Sequence, residues 1–101
     1  MKARDYLEKG LDIWKNVHGD GHELLGEFYF PLSHIDYYNG KYEEALDKLS
    51  IARELNLKND GTEGVKINSL TGLIYEATGD LEQGLVYKEK ALELSLEYYG
   101  S

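Results

Sequence analysis

The sequence predicts an all-α superhelix of stacked antiparallel helical hairpins, with about five helices. Small residues recur along the chain at Gly19, Gly61 and Gly100, which gives two intervals of similar length. Apolar residues mostly recur three or four positions apart, with almost no apolar–polar alternation, which indicates helices rather than strands. Glycine-containing breaks divide the chain into segments of helical length. This repetition is typical of one supersecondary unit stacked on copies of itself.

The first two predicted helices lie on either side of the break at 18–21. The first, over 2–17, has apolar residues from Tyr6 to Val17 at helical spacing. The second, over 22–38, contains Pro31, and an internal proline removes a hydrogen bond and costs a helix roughly 3 kcal/mol. Because apolar residues continue on both sides of Pro31, we expect a kinked helix rather than two short pieces.

The remaining three helices are separated by further glycine breaks. Asn39-Gly40 precedes a helix over 41–57, the break at 59–61 precedes one over 63–78, and Gly79-Asp80 precedes one over 81–99. The two tight breaks permit only antiparallel hairpins. We therefore expect a single domain over 1–101, with a leading helix at 2–17, one repeat at 22–57 and a second at 63–99.

Composition excludes several classes of function. The net charge is −8, which argues against nucleic acid and anionic membranes as partners, because both attract basic surfaces. The chain of 101 residues has no cysteine, so disulfides and thiolate metal sites are excluded. No apolar run approaches membrane-spanning length and the start lacks a signal peptide, so we expect a cytoplasmic protein.

The hairpins resemble the tetratricopeptide repeat (TPR), a helix–turn–helix unit with small residues where helices cross. Gly72 and Tyr75 match the G-x2-Y part of its pattern, Ala91 takes a small position, and the segment 40–46 is a strong match to its turn and second helix. The repeat is longer than the family's usual period of about 34 residues. It is similar to the long repeats of kinesin light chains and of many bacterial regulatory proteins. In this alignment 2–17 matches the second helix of a repeat, so we expect a fragment or an odd leading helix.

The resemblance implies that the first helix of each hairpin lines a concave groove that holds a partner. Phe30, His34 and Tyr37 fall along one stripe of their helix, which suits peptide recognition. Packing between the helices is the alternative, and it is favoured for Phe30. The groove positions are Glu27, Phe30, His34, Tyr37 and Tyr38 in the first repeat, and Lys66, Ser69, Leu73 and Glu76 in the second.

Other clusters give weaker signals. The segment His18-Gly19-Asp20-Gly21-His22 has metal-ligand residue types, but it lacks a third fixed ligand, and we expect no metal. No catalytic motif or phosphate loop is present, so we expect neither an enzyme nor a cofactor. Trp14 is expected to pack under the second helix rather than anchor a partner.

The sequence thus predicts a protein-interaction module that binds a peptide or helical segment of another protein in its groove. The first alternative is a structural domain that forms homo-oligomers through its terminal helices. The second is a peptide-sensing module of a larger bacterial regulator.

Overall fold

The computed structural model describes residues 3–19, 25–55 and 61–99, and these residues form five helices and no strand. In chain order they are α1 (Ala3–His18), α2 (Gly26–Tyr38), α3 (Tyr42–Leu55), α4 (Gly61–Ala77) and α5 (Leu81–Tyr99). The predicted all-α fold of helical hairpins is confirmed. None of the described helices is long and apolar enough to cross a membrane.

The chain divides into two compact units, Met1–Leu55 and Asn56–Ser101. The first contains α1, α2 and α3, and the second contains the α4–α5 hairpin. Each hairpin is antiparallel, because contacts between its helices join positions whose numbers rise in one helix and fall in the other. In the second unit, for example, Gly72 lies against Lys88 and Glu76 lies against Gly84.

Both hairpin turns have the same hydrogen-bond pattern. The amide of Lys41 donates to the Asp36 carbonyl at 2.8 Å, and at the equivalent place in the second hairpin the amide of Asp80 donates to the Tyr75 carbonyl at 2.9 Å. Gly40 and Gly79, with φ of +77° and +94°, occupy the left-handed position that these turns require. The predicted glycine turns are therefore confirmed at both places.

Two helix starts differ from the prediction. Residues 22–24 lie outside the described residues, and α2 begins at Gly26, after Leu25, which is fully buried. Gly61 is the first residue of α4 rather than part of the preceding break. A glycine costs less at this end than in the middle of a helix, where its extra backbone freedom is lost. Helix α2 continues without interruption through Pro31, so it is not divided into two pieces.

Each unit has its own apolar core. Leu25, Leu32 and Leu49 are completely buried in the first, and Ile67, Leu70 and Ile74 are buried in the second. Small residues allow close packing in both. A Cβ added at Gly72 would lie 3.0 Å from the Gly84 carbonyl oxygen, so α4 and α5 nearly touch at their backbones.

Candidate functional site

Three aromatic rings form a continuous row along α2. Phe30, His34 and Tyr38 are four residues apart, the spacing that aligns side chains on one helix face. The ring centroids of Phe30 and His34 lie 5.7 Å apart in an edge contact, and the rings of His34 and Tyr38 are stacked at 5.3 Å. Tyr38 is 77% exposed, while Phe30 and His34 are half-buried. We call these three residues the aromatic row.

Pro31 does not disturb this row. The Phe30 ring keeps its contact with His34 although the proline lies between them. The hydroxyl of Ser33 donates to the Phe30 carbonyl at 2.6 Å. The Ser33 hydrogen bond satisfies the backbone carbonyl of Phe30, and the ring of Phe30 is held by its contact with His34.

Tyr37 lies beside the row and contacts the next helix. Its ring centroid is 6.0 Å from that of Tyr42 on α3 and 5.4 Å from that of Tyr38. Tyr37 is half-buried, so it supports the hairpin and still presents part of its ring. Glu27, in the first turn of α2, is exposed.

The predicted groove residues of α4 have different chemistry. Leu73 is 40% exposed, Ser69 is half-buried, and Lys66 and Glu76 carry charge. The Glu76 carboxylate accepts a hydrogen bond from Lys88 of α5 at 2.7 Å. Lys66 lies 3.8 Å from Glu63 on its own helix. This set belongs to the second unit, and the 39-residue step that aligns Gly40 with Gly79 places Ser69, Leu73 and Glu76 at the positions of Phe30, His34 and Tyr37.

Asp36 is a buried charge that the sequence analysis did not single out. Its carboxylate is 1% exposed and accepts hydrogen bonds from Arg4 of α1 and, at 2.5 Å, from Lys48 of α3. Burial favours a higher pKa for Asp36, but the hydrogen bonds from Lys48 and Arg4 outweigh it and hold that pKa below its ordinary value. The same contact with Asp36 raises the pKa of Arg4. Asp36 therefore joins all three helices of the first unit.

An apolar groove of about 350 Å³ lies between α1 and α2. Tyr6, Gly10, Ile13 and Trp14 line it from α1, and Phe28 lines it from α2. A Cβ added at Gly10 would meet the Phe28 ring at 2.7 Å, so any larger residue would push that ring aside. The Trp14 ring lies 6.4 Å from that of Phe28 and is half-buried, which agrees with packing against the second helix.

The described residues contain no group of three or more potential metal ligands. His18 stacks on Trp14 at 4.3 Å. The other polar members of the predicted cluster, Asp20 and His22, lie outside the described residues.

No protein-family model, no curated protein and no solved structure matches this chain.

Proposed function

We propose that this protein is an interaction module that binds a peptide or helical segment of a cytoplasmic partner, in the manner of TPR proteins. The observation that supports this most directly is the aromatic row on α2, which ends in the exposed ring of Tyr38. Solvent-exposed rings already held in contact lose little conformational freedom when a ligand covers them. Such a surface is suited to binding a peptide.

The proposed binding residues have complementary roles. The aromatic row supplies apolar contact area, and the Tyr38 hydroxyl and the His34 nitrogens supply hydrogen bonds that fix the ligand's direction. Leu73 offers an apolar contact on α4, which also carries the charged groups of Lys66 and Glu76. The proposed set is Glu27, Phe30, His34, Tyr37 and Tyr38 in the first unit, and Lys66, Ser69, Leu73 and Glu76 in the second.

A peptide-display selection tests the proposal. Peptides selected on the wild-type protein should bind Tyr38→Ala about tenfold more weakly, because an aromatic anchor contributes at least about 1.4 kcal/mol. Tyr6→Ala is the matched control, since Tyr6 is an equally exposed tyrosine on α1. Its affinities should not change. Peptides that remain unaffected by Tyr38→Ala and His34→Ala would contradict the assignment.

A second candidate function is homo-oligomerisation. The observation that favours it is the exposed apolar surface of α1, where Tyr6, Ile13 and Val17 are each more than half exposed. Sedimentation at high protein concentration tests this function. A single species at the monomer mass of 11.5 kDa would remove it.

A further inference from the structure

Helix α5 exposes a stripe of four leucines. Leu81, Leu85, Leu92 and Leu96 are 58–67% exposed, and their spacing of four, seven and four residues places them on one face of the helix. The face of α5 that packs on α4 is different, because Gly84 and Ala91 are buried. We call the four leucines the leucine stripe. Isolated exposed leucines are ordinary, but an aligned row of four is typical of a docking surface.

The internal repeat indicates what kind of element fits this stripe. Ala91 and Gly10 are equivalent positions of the repeat, so Leu85, Leu92 and Leu96 correspond to Arg4, Leu11 and Lys15. In the first unit those three residues face α2. Arg4 pairs with Asp36, Leu11 is buried, and the Lys15 ammonium lies 5.7 Å from the Tyr29 ring centroid.

The face of α1 that is equivalent to the leucine stripe is therefore covered by a helix. That helix, α2, runs antiparallel to α1, since Arg4 reaches Asp36 whereas Lys15 reaches Tyr29. An antiparallel helix fits the same face of α5. Because α5 has leucines where α1 has Arg4 and Lys15, the helix that docks there must be apolar where α2 presents Asp36 and Tyr29, towards both ends of the contact.

The charge beside the leucine stripe indicates what kind of helix docks there. Glu82, Glu89 and Glu93 form a parallel row beside the stripe; all three are exposed, and none forms an ion pair within 3–19, 25–55 or 61–99. The nearby cations are engaged elsewhere, since Lys88 pairs with Glu76 and Lys90 lies over the Tyr87 ring. The edge of the stripe is thus acidic.

An acidic edge disfavours two other occupants. A symmetric pair of α5 helices would bring the two glutamate rows together, and an anionic lipid surface would be repelled. A helix with lysine or arginine beside its apolar face would instead pair with the glutamates.

We propose that the leucine stripe of α5 is a docking site for an amphipathic helix of a partner protein, with basic residues beside its apolar face and an orientation antiparallel to α5. This site is separate from the aromatic row and does not depend on the function proposed for it.

Two synthetic helical peptides test the proposal. They carry leucines at identical positions, flanked by lysines in one and by glutamates in the other. By fluorescence anisotropy the full chain should bind the leucine–lysine peptide about tenfold or more tightly than the leucine–glutamate peptide. Equal binding of both peptides, or no binding of the lysine peptide up to about 100 μM, would overturn the proposal.

Matched variants locate the binding site. Leu85→Ser/Leu92→Ser should weaken the lysine peptide about tenfold, whereas Ile13→Ser/Val17→Ser on α1 should not. All four side chains are more than half exposed, so the variants are expected to fold, which circular dichroism checks. Equal losses in both variants would contradict a site on α5.

The charge contribution has its own pair of variants. Glu89→Gln/Glu93→Gln should weaken lysine-peptide binding several-fold and flatten its salt dependence. Glu43→Gln/Glu44→Gln on α3 makes the same change in net charge and should have little effect. If both pairs weaken binding equally, attraction to the acidic chain as a whole explains the binding and the proposed site is wrong.

The oligomeric state is the remaining test. If Leu85→Ser/Leu92→Ser converts a dimer into a monomer, the stripe binds a second copy of the chain and the proposal fails.

Discussion

At the scale of single residues, the buried carboxylate of Asp36 is expected to stabilise the first unit. Replacing Asp36 by Asn keeps the shape but leaves one acceptor oxygen for the two donors Arg4 and Lys48, so one charge-assisted hydrogen bond is lost and the other loses the carboxylate charge. We expect Asp36→Asn to lower the free energy of unfolding by about 2 kcal/mol, measured by urea denaturation. Asp47→Asn, a change on α3 at a residue without an ion pair among the described residues, should alter it by less than about 0.5 kcal/mol. If both variants changed the free energy of unfolding equally, the hydrogen bonds of Asp36 with Arg4 and Lys48 would contribute little to stability.

The lowered pKa of Asp36 also predicts a dependence of stability on pH. Burial opposes ionisation of this carboxyl, but the hydrogen bonds from Lys48 and Arg4 leave its folded pKa below the unfolded value of about 3.9. Between the two pKa values the unfolded chain binds more protons, so this contribution is complete above about pH 4 and is lost as pH falls through the folded pKa. The stability difference between wild type and Asp36→Asn should therefore be constant from about pH 5 to 7 and shrink below about pH 4. Acid titration of both proteins measures it, and a difference that grows in acid would contradict the predicted direction.

The sequence could predict that Asp36 lies on the buried face of α2, but not which residues pair with it. Asp36 is in helical register with Tyr29 and Leu32, which are buried, so an acid at this position requires cationic partners. Those partners are 32 and 12 residues away, on α1 and α3. The identity of such distant partners follows only from the packing of the helices.

At the scale of helices, glycine predicts where a helix is interrupted but not whether the glycine ends one helix or begins the next. Gly40 and Gly79 take the left-handed conformation that ends a helix, as their positions after apolar runs predicted. The same reasoning predicts a break at Gly61, yet Gly61 is the first residue of α4. Glycine is compatible with both ends of a helix, so its presence alone does not distinguish a stop from a start.

The crossing of α4 and α5 depends on two glycines. A Cβ at Gly72 would lie 2.9 Å from Cγ of Lys88 and 3.0 Å from the Gly84 carbonyl oxygen. We expect Gly72→Ala to destabilise the protein by about 1–2 kcal/mol in thermal unfolding, since overpacking outweighs the better helix propensity of alanine. The control is Gly26→Ala at the start of α2, where nothing lies within 4 Å. It should be neutral or stabilising, and a loss of the same size there would attribute the effect to something other than the crossing.

The aromatic row was predicted only in part. The spacing of Phe30 and His34 placed them on one stripe, and their rings are in contact. The third member of the row is Tyr38 rather than Tyr37, whose ring contacts Tyr42 of α3 as well as Tyr38. Tyr37 and Tyr38 both lie near the helix face of Phe30, so the periodicity could not choose between them. The contact with Tyr42 depends on the hairpin and is a tertiary effect.

At the scale of the whole molecule, the helices differ in how firmly they are held. Leu11 is the buried residue of α1, whereas α3 buries Ala45, Leu49 and Ala52. Segments with few buried contacts open first. We therefore expect amide hydrogens of α1 to exchange with deuterium faster than those of α3, as measured by mass spectrometry.

The Asp36→Asn variant serves as the control for that experiment. It removes the carboxylate of α2 with which Arg4 pairs, so it should accelerate exchange in α1 more than in α4, which belongs to the other unit. Equal protection of α1 and α3 in the wild-type protein, or uniform acceleration in the variant, would contradict this order of opening.

The two hairpins place different chemistry at equivalent positions. The register that aligns Gly40 with Gly79 also aligns Asp36 and Lys48 with Tyr75 and Tyr87, whose rings stack at 5.7 Å. The first hairpin thus has an ion pair at the positions where the second has two stacked tyrosine rings. Protonation of Asp36 in acid removes the negative charge of the ion pair. Trp14 lies in the first unit, so its fluorescence reports on the unfolding of that unit. A probe placed in the second unit must give the same melting curve before one midpoint is assigned to the molecule.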